Sequence, residues 1–112
     1  MPTSVTIASG QSLSPAFNLG GASIGAIIVP SGWNAADITV QVSTDGSMFY
    51  NLYDDQDNEI VLQAAASRAI LIDNFAQLLV LGEGVTYKLR SGTASVAVAQ
   101  TGDVVLSVIP VR

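Results

Sequence analysis

The chain has 112 residues and a mass of 11.5 kDa, room for one domain that buries roughly two-thirds of its unfolded surface. Hydrophobic residues make up 49% of it, while the nine acidic and four basic residues amount to about half the usual charged share of about 25%. His and Cys are absent, which excludes imidazole and thiolate metal sites, disulfides, Ser-His and Cys-His nucleophile pairs and histidine general bases.

Short apolar alternation broken by turn residues runs through the chain and predicts strands. Residues 4–8 place Val5 and Ile7 on one side. Residues 12–19 place Leu13, Phe17 and Leu19 on one parity, and Pro15 marks that stretch as an edge strand or a bend. After Gly20 and Gly21, the nearly continuous apolar run 24–29 fits a strand buried on both faces. Residues 38–43 alternate strictly, with Ile38, Val40 and Val42 against Thr39, Gln41 and Ser43. Asp45 and Gly46 then sit between this run and residues 48–53, a hairpin signal because both residue types tolerate positive φ.

A second hairpin is expected where residues 54–59, DDQDNE, separate that strand from residues 60–62. Residues 68–72, 85–91 and 103–111 alternate again. Ala64, Ala65 and Ala66 favour helix by propensity, and Asp73 could cap a short helical turn over residues 73–81. About eight short strands in a single domain spanning residues 1–112 predict an all-β fold: an antiparallel β-sandwich of jelly-roll or Greek-key type, with a closed barrel as the alternative. The inward parities give a candidate core that includes Leu13, Val42, Phe49, Leu52 and Ile70 beside Val5, Ile7, Ile27, Tyr87, Leu89 and Leu106.

A net charge of −5 and a pI near 4.1 disfavour nucleic acid and anionic membrane surfaces, which need clustered cations. The four cations are Arg68, Lys88, Arg90 and Arg112; Lys88 and Arg90 would share one strand face as a small patch. The N-terminal stretch has no basic region followed by an apolar core, so classical secretion is not expected. No apolar run reaches the roughly 18 residues of a spanning helix.

Three constellations bear on chemistry. Asp55, Asp57 and Glu59 alternate as in a calcium loop, but Ile60 and Ala66 stand where that motif needs its glycine and its bidentate glutamate, so a solvated hairpin tip is expected. Asp37, Asp45, Asp54 and Glu83 offer carboxylates without any glycosidase arrangement beyond residue type. The LGEGV stretch, residues 81–85, lacks the strand-to-helix context and the lysine of a phosphate cradle. No catalytic, cofactor-binding or metal-binding residues and no cofactor are therefore assigned. Trp33, in the loop-like PSGWNAAD, either plugs one end of the sandwich or, with Tyr50 and Tyr53, offers a stacking surface to a sugar or partner.

So few charges leave an exterior clothed in small polar and apolar side chains, as in QAAASRA and GTASVAVAQTG. Such a surface is expected to be buried in a homo-oligomer or a larger assembly.

The stretch SGWNAADITVQVSTDGSMFYNLYDDQDNEIVL, followed by YKLRSGTASVAVAQTGDVVLSVI, resembles small β-sandwich virion structural proteins of tailed bacteriophages and phage-like particles. The pattern is carried by Trp33, a strand ending at Val42 and Ser43, Asp45 and Gly46, then Phe49, Tyr50, Leu52 and Tyr53, and later Lys88, Leu89, Arg90, Ser91, Gly92 and Thr93. It spans residues 4–109. The resemblance implies no enzyme activity, and a role in head decoration, as cement, at the base of a head spike or fibre, or as a tail accessory. It also implies capsid or other virion proteins as partners and a place in the virion after synthesis in the host cytoplasm. The alternative is a carbohydrate-binding module that recognises a host glycan through Trp33, Tyr50 and Tyr53.

Overall fold

The alternation becomes two antiparallel sheets in the computed structural model, which describes residues 2–72 and 85–111. Nine strands lie in those residues: β1 (Thr3–Ile7), β2 (Phe17–Asn18), β3 (Ser23–Val29), β4 (Ile38–Ser43), β5 (Tyr50–Asn51), β6 (Val61–Leu62), β7 (Arg68–Leu71), β8 (Thr86–Ser91) and β9 (Val104–Val111). Sheet A has the order β1-β9-β3-β7; sheet B has the order β2-β8-β4-β5, with β6 also pairing β4. The two pack face to face as a β-sandwich, and the described residues contain no helix.

Parity decides what lies between the sheets. Sheet A turns Val5, Ile7, Ile27, Val29, Val104, Leu106 and Val108 inward; sheet B turns Ile38, Val40, Tyr87 and Leu89 to meet them. Each such aliphatic side chain contributes about 1.5–3 kcal/mol by leaving water. Phe17, Val42, Leu52 and Ile70, expected inside, are only partly buried, lying near strand ends or on the edge strand β7. Leu13, which bridges Arg90, and Phe49, whose ring meets Lys88, stand on the outer-face side of sheet B and are also only partly buried. Leu19, Ala22, Ile24, Trp33 and Ile60 join the core instead.

Several sequence expectations need correction. Residues 12–19 do not form one strand: β2 is two residues long, and Leu13 makes an isolated bridge to Arg90. Pro15 is the reason, since it interrupts the ladder. Ser14 pairs with Leu89 there, its N donating to Leu89 O (2.9 Å) and its Oγ, in place of its own carbonyl, accepting from Leu89 N (2.9 Å). Strand β3 is buried on both faces only over its first residues, and Ile28 is exposed. Ala64, Ala65 and Ala66 form no helix; they lead into a turn where Ser67 has φ 58° and donates its N–H to Pro30 O. The expected turn over residues 73–81 lies outside the described residues.

The hairpin around Asp45 and Gly46 is present, but its loop is longer than two residues, since Val42 pairs with Tyr50. Gly46 has φ 80°, and Ser43 Oγ accepts from Gly46 N at 2.8 Å. The second hairpin is an excursion from a sheet edge. Gln41 pairs with Asn51, Leu52 N donates to Val40 O, and Thr39 pairs with Val61, so β5 and β6 continue one line along β4 with residues 53–60 inserted between them. Tyr53 bridges Glu59 at the base of the insertion.

One buried group has no partner among the described residues. Tyr87 is fully buried, its ring 5.7 Å from that of Phe17, and its hydroxyl makes no hydrogen bond. Burial pushes its pKa above the ordinary value of 10.0. Tyr87→Phe is therefore expected to be neutral or to stabilise the fold by up to about 1 kcal/mol, because it removes a desolvated hydroxyl without removing a bond. Since the folded pKa is raised, the stability of the wild type is intact below pH 10.0 and falls as pH rises through the folded value. Thermal melts from neutral to alkaline pH check this: the variant should lose less stability at the alkaline end.

Candidate functional site

The two exterior faces of the sandwich differ in chemistry. Antiparallel pairing sets Thr39 opposite Arg90 and Gln41 opposite Lys88 on the outer face of sheet B. Arg90 is buried there although it faces away from the core. Its Nε donates to Thr39 Oγ1 (3.0 Å), Nη1 to Asn51 Oδ1 (2.9 Å) and Nη2 to Glu59 Oε2 (2.7 Å). Thr39 Oγ1 donates onward to Gly92 O (2.8 Å), and the Glu59 carboxylate also accepts from Ala94 N (3.1 Å). The inserted hairpin is thus fastened across the sheet to the turn after β8. Lys88 Nζ lies 4.4 Å from the centroid of the Phe49 ring, a cation–π contact. Lys88 and Arg90 do share a face, as the spacing requires, but both are engaged locally.

The acidic turns are engaged locally too. Asp45 Oδ1 accepts from Ser47 N (2.8 Å), Met48 N (2.9 Å) and Ser43 Oγ (3.0 Å), and Asp54 Oδ1 accepts from Gln56 N (2.8 Å) and Asn58 N (3.0 Å). The Met48 and Ser47 amides lower the pKa of Asp45 below 3.8; the Asn58 and Gln56 amides do the same for Asp54. A lowered folded pKa contributes stability above pH 3.8 that is lost as pH falls through the folded value. Acid titration of the melting temperature should show that loss in the wild type. Asp45→Asn, which keeps an acceptor but cannot ionise, should flatten part of it.

Among the described residues, no group of three or more acidic side chains is placed to hold a metal. Asp37 contributes its carbonyl, which accepts from Gly92 N (2.7 Å). Glu83 and most of LGEGV lie outside the described residues.

The three aromatic candidates are not brought together. Trp33 is 5% exposed within the core, and its Nε1 donates to Ala36 O at 3.0 Å. Tyr50, opposite Val42, and Tyr53, opposite Glu59, are both exposed, but three residues apart on an extended stretch they emerge on opposite sides of the sheet. Phe49, which shares parity with Asn51 and Tyr53, borders the outer face of sheet B instead.

Gln100 escaped the sequence reading altogether. It is fully buried: Nε2 donates to Ser91 Oγ (2.8 Å) and Asn34 O (3.2 Å), and Oε1 accepts from Asn34 N (2.7 Å). Asn34 Oδ1 in turn accepts from Thr101 N at 2.8 Å. These bonds hold the Trp33 loop at one end of the sandwich. Nothing in a run of small polar residues marks one glutamine as buried.

Among the described residues, the outer face of sheet A carries no charge. Its rows are Ser4, Thr6, Val105, Ser107, Ile109, Ala26, Ile28, Ala69 and Leu71, set side by side by the registers of the four strands. Leu71 is 67% exposed, Val105 49%, Ile28 43% and Ile109 38%, so large aliphatic side chains stand in water on β9, β3 and β7, beside Ser4 and Thr6 of β1. The one charged residue on these strands, Arg68, stands opposite Val29 on the core-facing parity at the end of β7. The shortage of charge was expected to show in the Ala- and Ser-rich connections. Those segments are exposed and uncharged in part, but the continuous uncharged surface lies on the strands themselves.

Comparison with known protein families, with curated proteins and with solved structures finds no match to this chain.

Proposed function

We propose that this protein is a non-enzymatic structural subunit of a virion, a capsid decoration, cement or head-spike base component of a tailed bacteriophage or phage-like particle, acting by protein–protein binding. The observation that carries the reading is the outer face of sheet A, where four large aliphatic side chains are exposed and no described residue is charged. Several large aliphatic side chains exposed on one face of a small protein favour an interaction surface. A shell component stabilises its particle by mass action, binding the assembled state and not the open one. The resemblance of the 31–62 and 87–109 stretches to phage sandwich proteins points the same way. Quantitative mass spectrometry of purified particles from the source tests it. Tens to hundreds of copies per particle support the reading, and absence of the chain from particles overturns it.

A second reading is favoured by the outer face of sheet B, where the planar amides of Gln41 and Asn51 lie between the Phe49–Lys88 pair and Tyr53. Flat rings and amides suit a sugar ring and its hydroxyls, which supports this face as the one a host glycan would meet. A glycan array decides it: saturable binding that is lost in Tyr53→Ala while the melting temperature holds would favour a carbohydrate-binding module.

A further inference from the structure

We propose that the outer face of sheet A packs against the same face of a second copy of this chain. The proposal rests on the structural-subunit reading and names the partner that covers this surface.

The argument is electrostatic first. Copies that each carry a net charge of −5 repel, so they meet most readily where the carboxylates are remote. Of the seven described acidic residues, Asp37, Asp45, Asp54, Asp55, Asp57 and Glu59 belong to the strands and loops of sheet B, and Asp103 lies at the rim, before β9. Sheets stack about 10 Å apart, so pairing A against A sets the two B sheets about 30 Å from one another. That exceeds by several-fold the screening length of about 8 Å at physiological ionic strength. Contact through sheet B would bring the acidic turns together instead. A strongly charged partner of another kind gains nothing from a surface whose described residues offer no charge to match, whereas the aliphatic side chains of Ile28, Leu71, Val105 and Ile109 match themselves under a two-fold axis.

The area sets the strength. Four strands about 4.8 Å apart, from about 13 Å long at β7 to about 26 Å at β9, make a face of roughly 400 Å². A stable interface takes about 800 Å² from each partner. The free pair is therefore a dynamic one, monomeric near 1 µM and dimeric toward about 1 mM, and it becomes persistent where copies are held side by side at high effective concentration. Edge-to-edge growth of sheet B is obstructed by the insertion at residues 53–60 on one side and by the two-residue β2 on the other.

Sedimentation equilibrium of the full chain from about 1 µM to about 1 mM tests this, with Leu71→Lys, Ile109→Lys and the control Tyr50→Lys. All three positions are exposed, so circular dichroism is expected to stay that of the wild type. The wild type and Tyr50→Lys should rise from 11.5 kDa toward twice that mass, while Leu71→Lys and Ile109→Lys stay monomeric. A wild type that remains monomeric throughout overturns the pairing, and so does association that survives both lysines or is lost only with Tyr50→Lys. Mass spectrometry of particles reads the structural role separately: a chain abundant in particles yet monomeric at about 1 mM keeps that role and loses this pairing.

Discussion

Gly92→Ala is expected to cost about 3 kcal/mol or more, a large part of the roughly 5–15 kcal/mol that holds a domain of this size together. Gly92 has φ 96°, in a region that side chains with a Cβ rarely adopt. An added Cβ would also collide with Val96 O and fall 2.7 Å from Val98 N and 2.9 Å from Ala97 Cα. Those atoms are backbone and fixed on both sides: Gly92 N donates to Asp37 O, Thr93 N to Val96 O, and Val98 N to Ser91 O. Relief of the clash therefore opens the turn that carries Ala94 to Glu59. Gly46→Ala provides the comparison, with φ 80° but open space around it, and should cost only about 1 kcal/mol. Urea denaturation of both variants checks the difference, and equal losses would refute the packing argument.

Glu59→Ala is expected to destabilise by about 3 kcal/mol, because it leaves the buried Arg90 guanidinium without its charged partner. The glutamate makes a 2.7 Å ion pair with Arg90 and also receives Ala94 N, so one substitution frees the inserted hairpin from both the sheet and the following turn. Thr39 and Asn51 still accept from Arg90 but cannot balance its charge. Glu59→Leu with Arg90→Met should recover much of the loss, since an apolar pair leaves no buried charge unpaired. The coupling between the two sites, read from a double-mutant cycle by urea denaturation, is expected at about 1–3 kcal/mol. A single Glu59→Ala variant within about 0.5 kcal/mol of the wild type would show that the pair is solvated and carries little.

Much of the sandwich could be read from alternation alone, because a period of two fixes which side chains share a face. Val5 and Ile7, Ile38 and Val40, Tyr87 and Leu89, and Leu106 and Val108 were legible for that reason. Parity cannot say what covers the other face. Thr39 and Ser43 read as solvent-facing, yet both are buried, Thr39 beneath Arg90 and Ser43 within the Asp45 turn. The Arg90–Glu59 pair and the Gln100–Asn34 bonds join residues 31 and 66 positions apart, distances over which a sequence pattern carries no signal. The surface on which the functional reading rests was half legible. The scarcity of charge was plain from composition, but its place was not, because the order β1-β9-β3-β7 is what sets Val105, Ile109, Ile28 and Leu71 beside one another.

The absence of cysteine allows the central claim, that the outer face of sheet A is buried against protein in the working assembly, to be tested by one labelling measurement. Leu71→Cys introduces a single thiol on that face, and Thr44→Cys a single thiol at the exposed turn after β4. Maleimide labelling of each variant is compared between dilute free protein and purified particles that incorporate it. The account predicts that both thiols react in free protein, and that in particles the thiol at position 71 is protected while the one at position 44 still reacts. A thiol at position 71 that labels as fast in particles as in solution would contradict it.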